Sequence, residues 1–257
     1  MARRHSDPDF IEAVARGLDV IRAFRPGGAM SLSEIATASE LARPTARRIL
    51  VTLESLGYVR SGKGGFQLTP RVLELGLTYV QAMGLWDVAR PHLEGLVART
   101  HESSSIAQLD GSDIVYVARV AVPKIITLSV SIGTRFPAPA TSLGKVLLAG
   151  LTADELDATL AEPSRAGVTP RAPLDRPALE EELASVRARG WALTDEQLAG
   201  GIRSVAAPLR DADGRVIAAM NVTVHAAETS VDTLVGEYLP MLLQTAGEVS
   251  GDFAAYG

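Results

Sequence analysis

Arg43, Thr45, Arg47, Arg48 and Thr52 lie close together in the stretch LARPTARRILVTLES, residues 41–55. A guanidinium forks two donors toward a phosphate or the major-groove edge of guanine, and a threonine offers a hydroxyl and a methyl at shorter reach. Such a set suits the surface of duplex DNA. Shortly beyond it, YVRSGKGGFQLT alternates around a Gly-rich turn, with Arg60 on the first arm and Lys63 at the tip. This reads as a hairpin whose glycines let the backbone approach a phosphate and whose cations add charge there. A Gly-Lys-Gly-Gly loop also suggests nucleotide binding. It lacks the Gly-Lys-Ser/Thr ending of a P-loop, however, and leads into a strand rather than a helix.

A second constellation is Thr141-Ser142-Leu143-Gly144-Lys145, where a Pro/Ala-rich loop meets a helix start. Free amides and two hydroxyls there suit a carboxylate or other anion, and an ordinary N-cap is the plain alternative. Thr194, Asp195 and Glu196 at a strand end, Ser204 on the next strand and Asn221 and Thr223 on the last can line the same cavity. If they point inward, their polar atoms require a ligand or water. Ser142-x-x-Lys145 also spells the pattern of serine acylases, without the Lys-Thr-Gly and Ser-Asp-Asn elements that accompany it. His5, His92, His101 and His225 stand at no metal-ligand spacing, and Asp211-Ala212-Asp213-Gly214 is too short for a calcium loop. No metal or cofactor is expected, and the chain is read as a non-enzyme.

The elements that hold the first constellation follow from period and punctuation. In DPDFIEAVARGLDVIRAF, Ile11, Val14, Ala15, Leu18 and Ile21 recur at helical spacing after an Asp7-Pro8 start signal, giving a first, packing helix. Ser31-Leu32-Ser33-Glu34 has capping-box spacing and opens a brief second helix with Ile35 and Ala36 inward. A third helix carries Pro44 in its first turn, turns Ala46, Ile49, Leu50 and Leu53 inward and displays the Arg/Thr face outward. Three helices and a basic hairpin in this order make a winged helix-turn-helix. A merely solvated basic face is the alternative.

Thr69-Pro70 begins a linker helix with Leu73, Leu77 and Val80 on one stripe, and Pro91 marks a kink or fresh start in the helix after it. Beyond that helix, SSIAQLDG, DIVYVARV and IITLSVSIG (residues 125–133) alternate as strands, and TRFPAPA reads as loop. Helices are expected from Thr141, in TADELDATLA and in DRPALEEELASVRARG. Strands return in WALTD, RSVAAPLR and RVIAAMNVTV, before a last helix over about residues 230–254. The expected class is α+β with an antiparallel sheet: a head over residues 9–69, a linker over 70–84 and a body over 85–257.

Charge divides along the same line. Residues 1–83 carry 11 Lys+Arg against 8 Asp+Glu, whereas residues 84–257 carry 14 against 22, the two summing to the net charge of −5. A basic head on an acidic body points to an anionic partner for the head alone. There is no cysteine, so disulfides and thiolate chemistry are excluded. Neither a signal-peptide core nor a run of roughly 18 apolar residues occurs, so a soluble, cytoplasmic protein is expected.

These residues together resemble the IclR family of bacterial transcriptional regulators almost end to end. The winged head, TSLGKVLLA and GWALTDEQLAGGIRSVAAPLRDADGRVIAAMNVTV carry the likeness. DPDFIEAVARGLDVIRAF, LARPTARRIL, LTPRVLELG and DIVYVARV look most like the branch governing aromatic-acid catabolism through the β-ketoadipate pathway. The resemblance implies a GAF-like effector domain, homodimers or homotetramers, double-stranded promoter DNA as partner, and protocatechuate, 4-hydroxybenzoate or β-ketoadipate as effector. By position it places the effector pocket at Ser142, Leu143, Thr194, Asp195, Ile202, Ser204, Asn221 and Thr223. It fixes no carboxylate clamp; Arg119 is a candidate, with a solvated strand-end charge as the alternative.

Overall fold

The computed structural model describes residues 9–25, 27–76, 85–123 and 130–256, and the chain divides into two compact units, residues 1–82 and 83–257. The first unit holds α1 (Glu12–Arg22), α2 (Leu32–Ala38), α3 (Arg43–Ser55) and a hairpin of β1 (Val59–Gly62) and β2 (Gly65–Leu68). At the start of α2 the Ser31 hydroxyl accepts from the Glu34 N–H (3.3 Å) and the Glu34 carboxylate accepts from the Ser31 N–H (2.8 Å), closing a capping box. Ala46, Leu50 and Leu53 form the buried face of α3, and Leu50 and Leu53 join Val20, Ile35 and Val59 in one core. Each such side chain contributes about 1.5–3 kcal/mol by leaving water. Met30 exchanges two backbone hydrogen bonds with Phe66 (2.9 and 2.8 Å), pinning the hairpin to the segment before α2. Gly65 makes this possible: its φ is +114° and an added Cβ would lie 2.3 Å from the Met30 carbonyl oxygen.

The first helix departs from its expected packing. It begins at Glu12, and the Asp7-Pro8 signal lies outside the described residues. Ile11, Val14 and Leu18 are 66, 59 and 51 % exposed, while Val20 is buried with Ile21 and Phe24 beside it. The apolar period is intact, but only the C-terminal end of α1 reaches the core shared with α2 and α3. After the hairpin, Pro70–Leu73 forms a 3-10 turn capped by Thr69, and helix resumes at residues 74–76. The remainder of the expected linker helix, residues 77–84, lies outside the described residues.

The second unit opens with α4 (Leu85–Thr100), which runs through Pro91 without a fresh start because Ala89, Leu93 and Leu96 are buried on both sides of it. A six-stranded antiparallel sheet follows, ordered β5-β4-β3-β8-β7-β6: β3 (Ser103–Asp110), β4 (Asp113–Val120), β5 (Arg135–Pro137), β6 (Ala192–Asp195), β7 (Ile202–Arg210) and β8 (Val216–His225). β5 falls inside the stretch read as loop. Of the expected strand at 125–133, residues 125–129 lie outside the described residues, and residues 131–133 belong to a turn, tied by the Gly133 N–H to the Tyr116 carbonyl (2.8 Å).

Side-chain alternation sorts the sheet's two faces. Ile106, Val205, Ala207, Met220 and Val222 pack against α4 and the terminal helix, built from α8 (Val231–Thr233), a π-helical turn (Leu234–Tyr238) and α9 (Leu239–Tyr256). Ala107, Tyr116, Ala206 and Ala219 pack on the other face under α5 (Ser142–Ala149). α6 (Ala153–Ala161) and α7 (Arg176–Arg189) complete that side, with α7 packed on α5. All eight residues of α5 are buried, and Gly144 lets it sit down: an added Cβ would come within 2.0 Å of the Ala138 carbonyl oxygen. Among the described residues no helix is long and apolar enough to cross a membrane.

Candidate functional site

Between the sheet and α5 lies a narrow cavity of about 50 Å³ that opens to solvent. Its floor is a hydrogen-bonded chain crossing four strands. Arg119 Nη1 on β4 donates to Ser105 Oγ on β3 (2.8 Å), and the Ser105 N–H donates to Asn221 Oδ1 on β8 (3.0 Å). Asn221 Nδ2 donates to Thr223 Oγ1 (2.9 Å) and to Ser204 Oγ on β7 (3.3 Å), which shares a 2.7 Å bond with Ser142 Oγ on α5. Register produces this row: Ser105 pairs with Arg119 and Asn221, and Ser204 pairs with Thr223. Thr141 caps α5 by accepting from the Gly144 N–H (2.9 Å). The walls are apolar: Tyr116 and Phe136, edge-to-face with centroids 5.9 Å apart, together with Val130, Leu143, Leu198 and Ile202.

Among the described residues Arg119 is the single cation lining this cavity, and no described carboxylate lines it. Its Nε is buried without a hydrogen-bond partner. Burial pulls the guanidinium below its usual value, with a small opposing effect from Tyr116, yet an arginine stays charged at neutral pH. Burial pushes the Tyr116 phenol up to about 12, partly offset by Arg119. The described lining therefore presents one fixed positive charge, neutral hydroxyl and amide groups, and an aromatic wall.

Of the residues read from sequence, Arg119, Thr141, Ser142, Leu143, Thr194, Ile202, Ser204, Asn221 and Thr223 meet here. Asp195 does not: it follows Thr194 on β6, so it faces the opposite way, is exposed, and pairs with Arg203 (2.8 and 3.1 Å). Tyr116, Val130, Phe136 and Leu198 complete the lining with no signal in the sequence. Apolar side chains carry no motif, and their register alone places them. The Ser-x-x-Lys pattern is divided between two environments. Ser142 bonds Ser204, whereas the buried Lys145 ammonium faces Glu182 at 3.8 Å.

In the first unit, Arg43, Arg47, Arg48 and Thr52 lie exposed on α3, and Thr45 is half-buried. The Thr52 hydroxyl donates to the Arg48 carbonyl (3.0 Å). Among the described residues none of Arg43, Arg47, Arg48 and Lys63 has an ion-pair partner. Lys63 occupies the exposed hairpin tip, and Arg60 leans along the hairpin onto Gln67 Oε1 (3.1 Å).

The two units match two halves of one known architecture: residues 13–62 match the IclR helix-turn-helix domain, and residues 77–251 match the C-terminal domain of the bacterial transcriptional regulator IclR. The chain belongs to the IclR family. IclR proteins are DNA-binding transcriptional regulators rather than enzymes, as the two matched domains imply. The Pca regulon regulatory protein of Pseudomonas putida is 37 % identical over 95 % of this chain and 84 % of its own length. The p-hydroxybenzoate hydroxylase transcriptional activator of Acinetobacter baylyi is 33 % identical over 94 % of this chain and 91 % of its own. A transcriptional regulator of Rhodococcus sp. RHA1 has a solved structure that superposes with a TM-score of 0.82, at 47 % identity, covering 96 % of this chain and all of that one.

Proposed function

We propose that this IclR-family regulator controls aromatic-acid catabolism by binding an aromatic monocarboxylate in the body while the head reads promoter DNA. The single observation that carries this is Arg119: one half-buried guanidinium with an orphaned Nε, set in a cavity walled by Tyr116 and Phe136. A carboxylate completes the guanidinium's bonding, the ring packs on the aromatic wall, and a hydroxyl substituent finds the Ser142–Ser204–Thr223 cluster. A dicarboxylate such as β-ketoadipate would bring a second charge that no cation among the described lining residues meets, and burying an unpaired carboxylate costs several kcal/mol. The names of the two curated relatives support the aromatic setting.

The division of labour follows the charge asymmetry: a head over residues 9–69, a linker over 70–84 and a body over 85–257. A homodimer presents two α3 helices to a pseudo-palindromic site, about one or two DNA turns apart. Arg43, Thr45, Arg47, Arg48 and Thr52 meet the major groove, with Arg60 and Lys63 on flanking phosphates. Effector binding shifts the population of body arrangements and so the spacing of the heads. Calorimetry with 4-hydroxybenzoate, protocatechuate and β-ketoadipate tests the effector class. The aromatic monoacids should bind at least 10-fold more tightly than the dicarboxylate, and the reverse order would remove this reading.

A further inference from the structure

The body is acidic, and its described arginines are spent on carboxylates, apart from Arg99 on the Thr245 hydroxyl and Arg119 in the cavity. Three more escape this pattern, and all three line one cleft: Arg187 near the end of α7, Arg210 at the end of β7 and Arg215 beside the start of β8. Arg187 Nε donates to the Ala149 carbonyl (2.9 Å) and Arg210 Nη1 to the Gly214 carbonyl (2.8 Å). Each is thereby aimed, with most of its donors left over. Arg215 makes no side-chain hydrogen bond or ion pair among the described residues. Among the described residues Glu155 is the one carboxylate lining the cleft; the Thr152 N–H (2.8 Å) and hydroxyl (2.9 Å) engage it, and Arg215 adds a lesser Coulombic attraction without forming an ion pair with it. Val146, Leu151 and Val216 add apolar surface to the cleft, which has a volume of about 620 Å³ and is open to solvent.

Three guanidiniums from separate elements, converging on a partly apolar cleft within an acidic unit, form a receptor for negative charge rather than a random scatter. We propose that this cleft is a second ligand site, taking a small organic polyanion with an apolar portion, such as a tricarboxylate. It communicates with the first cavity through α5. Thr141, Ser142 and Leu143 at one end of α5 line the cavity, while Val146 and Ala149 toward the other line the cleft, about 10 Å away at 1.5 Å per residue. The communication, but not the cleft site itself, rests on reading the first cavity as the effector site.

Titration of the full-length protein with benzene-1,3,5-tricarboxylate, at ionic strength fixed with sodium chloride, tests this. The wild type should bind it saturably. Binding should weaken at least 10-fold in R187Q/R215Q and stay unchanged in R119Q, whose lost charge belongs to the other cavity. R215Q alone, which removes no hydrogen bond, should weaken binding at least threefold and decides the matter if the double variant fails to fold. The proposal is overturned if the wild type shows no binding above the chloride background, or if R119Q and not R215Q abolishes it. Saturating tricarboxylate should also shift the dissociation constant of 4-hydroxybenzoate without competing for its site; simple competition would contradict two sites. If 4-hydroxybenzoate does not bind at all, the first-cavity reading fails, and the cleft still stands or falls on R215Q.

Discussion

Tyr116 and Arg119 stand three residues apart on β4, yet both face the cavity. Strict alternation would send them to opposite faces of the sheet. The β3–β4 register resolves this, because Ile106 pairs with Ala118 and Ala107 with Tyr116, leaving Val117 as an extra residue in a β-bulge. The bulge thus sets the Arg119 charge beside an aromatic ring. Replacing Arg119 with Gln removes the charge and keeps a hydrogen-bond donor. Affinity for 4-hydroxybenzoate should fall about 10- to 100-fold, as expected for a charged hydrogen bond worth about 1.5–3 kcal/mol. Calorimetry measures the loss, and unchanged affinity would take Arg119 out of the site. The ligand-free melting temperature should hold or rise, since a half-buried cation with an orphaned Nε is removed.

Alkaline pH should act through Tyr116. Its folded value of about 12 lies above the ordinary 10.0, so the folded state holds the proton more tightly than the unfolded chain. The resulting stability is fully present below pH 10 and is lost as the pH rises through the window from 10 to 12, at about 1.4 kcal/mol per pH unit for one group. Denaturant unfolding across that window should show the loss in the wild type and a smaller one in Tyr116→Phe. Identical slopes would place the phenol in water.

Gly144 is fixed by contact rather than by φ. A methyl group there meets the Ala138 carbonyl oxygen at 2.0 Å, backbone against backbone, with no flexible atom to give way. Gly144→Ala should cost about 3 kcal/mol or more, at the upper end of overpacking, and should lower both thermal stability and effector binding. A variant as stable as the wild type would show that α5 is not seated against the Ala138 segment.

On the head, Arg47 and Arg48 have no ion-pair partner among the described residues, so removing them leaves no charge stranded. Replacing both with Ala should weaken binding to promoter DNA and flatten the plot of log affinity against log salt by about 0.9 per lost phosphate contact. Fluorescence anisotropy over a salt series reads this directly. An unaltered slope would move the phosphate contacts elsewhere.

The head was legible because its signals are local. The capping box at Ser31 and Glu34, Pro44 in the first turn of α3 and the glycine-rich hairpin each act within a few residues. The polar floor of the cavity was legible too, since Ser204, Asn221 and Thr223 are polar residues in otherwise apolar strands. What escaped depends on partners distant in sequence. Asp195 is an acid beside Thr194, and only its place on the strand turns it out to Arg203. Tyr116 reads as one more apolar strand residue until the bulge at Val117 brings it to Arg119. Ile11, Val14 and Leu18 keep a helical period whose burial depends on what lies opposite, and no period encodes that.

The decisive measurement is the affinity of the full-length protein for promoter DNA at fixed salt, with and without saturating 4-hydroxybenzoate. Coupling of about 1–3 kcal/mol corresponds to a change of about 5- to 150-fold, and the change should vanish in Arg119→Gln while that variant's affinity for DNA without effector is preserved. Superimposable binding curves with and without the aromatic acid would contradict a body that senses such an acid and a head that answers it.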